Sequence, residues 1–107
     1  MKTPKILFAA VLLLLPVTSA LAHGMQLSVR ADGATVRGTV SYSDGEPAAG
    51  EWIQMFDLTR PATAPQQTNT AVDGNFSFPG IAGREYRIEV TGQESHSLEK
   101  RLILPTD

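Results

Sequence analysis

Apolar and polar residues alternate along most of the chain beyond residue 24, and this two-residue period constrains the fold more than any other feature. Successive side chains of a β-strand point to opposite faces, so alternation predicts strands with one buried face. In one run Val36, Gly38, Val40 and Tyr42 share a face, and the residues between them are polar. About seven such runs, roughly 8–12 residues apart, predict an all-β fold: one seven-stranded antiparallel β-sandwich.

Asp-Gly pairs separate several of these runs, at Asp32-Gly33, Asp44-Gly45 and Asp73-Gly74. The glycine of such a pair adopts the positive φ that a tight turn between strands needs, and the aspartate caps the turn. We therefore assign these aspartates a conformational role rather than a chemical one. We expect the charged side chains on the predicted strands, among them Arg84 and Arg87, to be solvated and loosely paired with nearby glutamates.

The predicted third strand, residues 51–58, is apolar on both faces. Ile53 and Met55 point one way, and Trp52 and Phe56 point the other. Large exposed aromatic side chains are uncommon on monomers, so we expect an edge strand or the loop at residues 61–67 to cover Trp52 and Phe56. If that face is open instead, the two aromatic rings form a patch suited to a protein or carbohydrate partner.

The first 22 residues have the features of a signal peptide. Lys2 and Lys5 precede an unbroken apolar run at residues 6–15, and Ala20-Leu21-Ala22 has the small-x-small form that signal peptidase cleaves. The run is about half the roughly 20 residues that a membrane-spanning helix needs, which disfavours the alternative of an uncleaved anchor. We predict cleavage after Ala22, a periplasmic location, and a β-sandwich domain at residues 23–107 with no membrane span.

Composition excludes several classes of function. The 107 residues include no cysteine, so disulfides, thiolate metal sites and cysteine nucleophiles are ruled out. The net charge of −2 becomes −4 when Lys2 and Lys5 are removed, which argues against a nucleic-acid partner. The only histidines, His23 and His96, do not belong to a nucleophile–base pattern, so we do not expect an enzyme.

The region from residue 36 to residue 104 carries a set of spaced motifs. They are Val36-x-Gly38-x-Val40, the 44–50 segment DGEPAAG, Ile53-x-Met55, Thr70-x-x-Asp73-Gly74-x-Phe76-x-Phe78 and Gly83-x-x-Tyr86-x-Ile88-x-Val90. In this combination the chain resembles the carboxypeptidase regulatory-like (transthyretin-like, Cna-B-like) domains. The resemblance implies a prealbumin-like or immunoglobulin-like sandwich, with Phe76 and Phe78 at its centre. Because members of this fold family do many things, it does not define a function.

A narrower resemblance involves the predicted mature amino terminus, His23-Gly24-Met25, together with the Tyr-x-Asp-Gly-Glu-Pro turn. These features are similar to small exported accessory proteins of nickel and cobalt uptake transporters, in which His-Gly directly follows the signal peptide. In that group a second histidine often follows a strand of the kind that ends near Val90, as His96 does here. The resemblance implies metal binding by His23 and His96 and a membrane metal transporter, or another envelope protein, as partner.

The chemistry of His23 agrees with that implication. A histidine at a free amino terminus chelates through its α-amine and one imidazole nitrogen, both of which lose protons near neutral pH. Such nitrogen donors favour Ni²⁺, Cu²⁺ and Zn²⁺, with Cu²⁺ the strongest in the usual order, and His96 is a candidate third donor. The alternatives are that His23 is a by-product of processing and His96 a solvated loop residue. We thus expect a non-enzymatic periplasmic accessory protein that binds Ni²⁺ or Co²⁺, with Cu²⁺ as the other metal; a metal-free interaction module is the alternative.

Overall fold

The computed structural model describes residues 24–92 and 97–106. The predicted signal peptide, His23 and His96 therefore lie outside the described residues. Within them, the regular elements are seven strands: β1 (Met25–Asp32), β2 (Thr35–Tyr42), β3 (Trp52–Asp57), β4 (Gln66–Asn69), β5 (Asn75–Pro79), β6 (Glu85–Thr91) and β7 (Ser97–Ile103). No helix in this part of the chain is long and apolar enough to cross a membrane.

The seven strands form two antiparallel sheets, which confirms the all-β prediction. One sheet has the order β1-β2-β5, and the other has the order β4-β3-β6-β7. Every pairing within them is antiparallel. The two sheets face each other across a shared apolar layer, which is the arrangement expected of a β-sandwich.

The core consists of the inward-facing residues of both sheets, as the alternation predicts. Phe76 and Phe78 lie in it with their rings 5.8 Å apart in an edge-on arrangement. The fully or nearly fully buried apolar residues are Leu27, Val36, Val40, Ala48, Ile53, Met55, Phe76, Phe78, Tyr86, Ile88, Val90 and Leu104. Burial of these side chains supplies the main favourable term in folding a domain that has no disulfide.

The Asp-Gly turns form as predicted. Gly33, Gly45 and Gly74 have φ angles of 61°, 94° and 82°. The carboxylate of Asp44 accepts a hydrogen bond from the Glu46 amide, and that of Asp73 accepts one from the Asn75 amide, both at 3.0 Å. These aspartates stabilise turns, in agreement with the conformational role assigned to them.

The fourth strand differs from its prediction. The sequence suggests a loop through residue 67 and a strand at residues 68–72, whereas β4 is Gln66–Asn69. This short edge strand is mainly exposed, and it forms through its backbone ladder with β3 rather than by burying an alternating apolar face. Thr70 follows it and is buried: its hydroxyl donates to the Ala48 carbonyl at 2.6 Å and accepts from the Glu51 amide at 2.8 Å. Polar backbone pairing of this kind leaves no hydrophobic period in the sequence.

The strand directions define two ends of the sandwich. At the end that we call proximal, β1 begins at Met25 opposite Tyr42, β3 begins at Trp52 opposite Thr91, and β7 begins opposite the same Thr91. At the opposite, distal end, β1 ends at Asp32, β3 ends at Asp57 and β7 ends at Ile103. The two ends differ in their charged side chains: the proximal connections carry carboxylates, and the distal end carries an aspartate–arginine ion pair.

Candidate functional sites

The residues that directly follow the two candidate metal ligands in the sequence lie at the same end of the sandwich. Gly24 follows His23, and its carbonyl accepts a hydrogen bond from the Ser43 amide at 2.9 Å. Ser97 follows His96 and pairs with Thr91 at the start of β7. Gly24 and Ser97 thus both lie at the proximal end, although they are far apart in the sequence.

The proximal end is acidic. The connections that meet there carry Asp44, Glu46, Glu51 and Asp73, and the sequence has no lysine or arginine at residues 38–59 or 61–83. The Tyr42 hydroxyl donates a hydrogen bond to the Glu51 carboxylate at 3.1 Å. That hydrogen bond, burial and the nearby charges of Glu51 and Asp44 raise the pKa of Tyr42. A cation approaching this end meets a field of one sign.

The described residues do not by themselves form a metal centre. Among residues 24–92 and 97–106, no three histidine or carboxylate side chains are close enough together to hold an ion.

Trp52 and Phe56 lie on the outer face of the four-stranded sheet, and the expectation that a strand or loop covers Trp52 is wrong. Trp52 is 40% exposed, and Phe56 is half-buried. Phe56 is covered by one side chain of the neighbouring strand: the Arg87 guanidinium carbon lies 4.3 Å from its ring centroid. The register places Phe56 directly opposite Arg87, which the sequence does not reveal because strand partners are distant along the chain.

Arg87 is also less solvated than its sequence context suggests. Its Nε lies 3.5 Å from a carboxylate oxygen of Glu89 and 4.0 Å from one of Glu99, and 28% of its side chain is exposed. The guanidinium lies over the Phe56 ring in a cation–π contact, and its buried Nε has no hydrogen-bond partner among the described residues. The outer face thus presents one exposed indole and, separately, a Phe–Arg pair.

The distal end holds an ion pair that the sequence analysis missed. Arg84 donates to the Asp57 carboxylate at 2.8 Å, and the two side chains are only 22% and 10% exposed. Burial raises the pKa of Asp57, but the hydrogen bonds from Arg84 and from the amides of Thr59 and Arg60 outweigh it, so the pKa lies below its ordinary value. Arg84 was expected to be solvated, and this partner, 27 positions earlier in the chain, corrects that expectation.

No protein-family model matches the chain, and no curated protein is similar to it. The two family resemblances drawn from sequence motifs therefore stay predictions, and the functional argument has to come from the sites themselves.

Proposed function

We propose that this chain is an exported, non-enzymatic β-sandwich accessory protein that binds Ni²⁺ or Co²⁺ at its mature amino terminus and passes the metal to a membrane transporter. In this proposal a signal peptide is removed after Ala22 in the periplasm. His23 then provides its α-amine and imidazole, and His96 adds a third nitrogen. The metal is cargo that the protein carries, rather than a part of its fold.

The observation that carries the proposal is the character of the proximal end. The residues that follow His23 and His96 both lie there, and the nearby connections carry four carboxylates, at Asp44, Glu46, Glu51 and Asp73. A cluster of one sign raises the local concentration and on-rate of a divalent cation. In this proposal the histidine nitrogens coordinate the metal and the carboxylates attract it at the same, proximal end of the molecule.

Calorimetric titration of Ni²⁺ tests the proposal. The protein must begin at His23, as confirmed by its mass, and we expect binding of about micromolar affinity or tighter. The matched control carries one extra residue ahead of His23, which removes the α-amine from the chelate ring while leaving the imidazole in place. Binding that is lost in this control supports the proposal, whereas equal binding or no binding by both proteins contradicts it.

Two further variants separate coordination from attraction. Glu46→Gln and Glu85→Gln remove the same charge, but Glu46 lies at the proximal end, whereas Glu85 begins β6 opposite Ile103 at the distal end. We expect Glu46→Gln to weaken Ni²⁺ binding more than Glu85→Gln does, and the difference to shrink as salt is added. His96→Gln is expected to weaken binding if a third nitrogen is supplied by that residue.

A second candidate function rests on the outer face of the four-stranded sheet. Trp52 is 40% exposed at the proximal start of β3, and the Phe56–Arg87 pair lies four residues further along the same face, roughly 13 Å away at about 3.3 Å per residue. The exposed indole is suited to a sugar ring or to a partner protein. In this alternative the chain is a metal-free interaction module. It requires no processing event to create its site.

Trp52 is the only tryptophan of the chain, so its fluorescence reports on this face alone. Titration with soluble glucan and chitin oligosaccharides should shift or quench that emission if the face binds carbohydrate. For a protein partner, Trp52→Ala should abolish capture, while Val72→Ala, at a position that is 83% exposed elsewhere, should not. Partner binding that Trp52→Ala leaves intact contradicts this version.

A further inference from the structure

A cleft opens at the distal end of the sandwich, opposite the end that carries Asp44, Glu46, Glu51 and Asp73. It lies between the connection that follows β3 and the connection between β5 and β6, and its volume is about 370 Å³. The cleft is partly open to solvent, so a small molecule bound in it would remain partly exposed. The side chains that matter for its chemistry are Asp57, Arg60, Gln66, Ile81, Arg84 and Tyr86.

The charged groups of the cleft favour an anion. Asp57 is already satisfied, since it accepts hydrogen bonds from the amides of Thr59 and Arg60 at 2.9 and 3.1 Å and from Arg84 at 2.8 Å. One arginine neutralises this carboxylate, and Arg60 adds a second positive charge to the lining. Within the described part of the chain, no carboxylate lies at ion-pair distance from the Arg60 guanidinium.

Counting partners in residues 24–92 and 97–106 only, hydrogen-bond donors remain unused in the same cleft. A guanidinium has five N–H groups, and the pair with Asp57 uses one of those of Arg84. The Tyr86 hydroxyl accepts a hydrogen bond from the Ile81 amide at 2.9 Å, so its own proton is directed elsewhere. A ligand that accepts hydrogen bonds from Arg60, Arg84 and Tyr86 would satisfy the unused N–H and O–H donors of these side chains.

The remaining lining is apolar. Ile81 is 52% exposed, and buried Met55 forms part of the lining. Apolar surface beside unused donors distinguishes this cleft from a simple binding site for an inorganic ion. It suits a molecule with one anionic group and an apolar body.

We propose that the distal cleft binds a small organic carboxylate, whose carboxylate pairs with Arg60 and Arg84 and whose apolar body lies against Ile81. This site is independent of metal binding at the proximal end. It would make the chain a carrier or sensor of a small acid as well.

Benzoate is the probe, and amide chemical shifts in a two-dimensional NMR titration are the readout. We expect saturable shifts at Ile81 and Arg84 with a Kd of about millimolar. Benzamide has the same ring without the charge, and inorganic phosphate has charge without an apolar body, so both should bind more weakly than benzoate. Equal binding of benzamide or phosphate would overturn the proposal, as would the absence of saturable shifts.

Two matched variants test the residues. Arg60→Gln should weaken benzoate binding by about tenfold, and Arg30→Gln, which removes the same charge from the exposed face of β1, should not. Arg84→Lys retains a positive charge beside Asp57 and guards against misfolding, yet it should also weaken binding because the planar fork is lost. Equal affinities for the Arg60→Gln and Arg30→Gln proteins would show that the cleft is not the site.

Discussion

At the scale of single residues, Gly38 shows how one missing side chain organises the core. It lies on the inner face of β2 directly opposite Phe76 of β5. A methyl group at Gly38 would overlap the Phe76 ring, which occupies the space above the glycine. The sequence motif identifies this glycine but not its reason, because its φ angle is ordinary and the constraint comes from a residue 38 positions later. An aromatic ring that covers a cross-strand glycine is a recognised way to stabilise such a position in a sheet.

We expect Gly38→Ala to displace Phe76 and to lower the free energy of unfolding by about 1–3 kcal/mol, the usual cost of overpacking a core. Urea unfolding measured by fluorescence would detect this change. Gly24→Ala is the matched control, since a methyl group there meets nothing within 4 Å. A Gly38→Ala protein as stable as the Gly24→Ala protein would show that the ring moves aside without cost.

At the scale of elements, alternation predicts strands well where one face is buried and poorly where it is not. The strands β2, β5 and β6 follow their predicted faces because their inner residues enter the core. β4 was misplaced because polar edge strands carry no such signal. The exposure of Trp52 depends on whether another element covers β3. The solvation of Arg87 and the ion pairing of Asp57 depend on partners that are distant along the chain. These features follow from the strand register, which cannot be read from the alternation of apolar and polar residues.

The edge strand β7 carries a lysine on its inner face. Lys100 lies opposite buried Ile88, between the half-buried Leu98 and Leu102, and is itself exposed. An inward-facing charge on an edge strand is a common device against edge-to-edge association. β7 therefore packs Leu98 and Leu102 against the core, while Lys100 interrupts the apolar row between them.

We expect the Lys100→Val protein to self-associate at concentrations at which the sedimentation of the unchanged protein does not change. The new valine would join Leu98 and Leu102 into one apolar row on an exposed edge. Sedimentation velocity over a concentration series would measure it. Lys100→Glu is the control, since it keeps a charge at the same position and should leave the sedimentation profile unchanged. If both variants associate equally, the charge has no protective role.

At the scale of the whole molecule, the distal ion pair links stability to pH. Asp57 ends β3, and Arg84 precedes β6, so their contact closes the distal end of the four-stranded sheet. The pKa of Asp57 is lowered in the folded protein from its ordinary value of 3.8. A lowered pKa contributes stability above the unfolded value, and that contribution is lost as the pH falls through the lower folded value.

Asp57→Asn is therefore expected to reduce stability at neutral pH by about 1–3 kcal/mol and to flatten the loss of stability below about pH 4. Urea midpoints measured from neutral pH to strong acid test both effects. Asp32→Asn is the comparison, since Asp32 also pairs with an arginine, Arg37, but both side chains are largely exposed. Its effect should be small because solvent screens the pair. Identical pH profiles for the two variants would argue against a special role for Asp57.

The opposite positions of the two ends also have a mechanical consequence. β1 begins at the proximal end and β7 ends at the distal end, and each pairs antiparallel with its neighbour inside the fold. A pulling force applied at Met25 and Ile103 would act along the strands rather than across them. It would load the β1–β2 and β6–β7 ladders in shear, so that the hydrogen bonds of each ladder share the tension instead of opening one at a time.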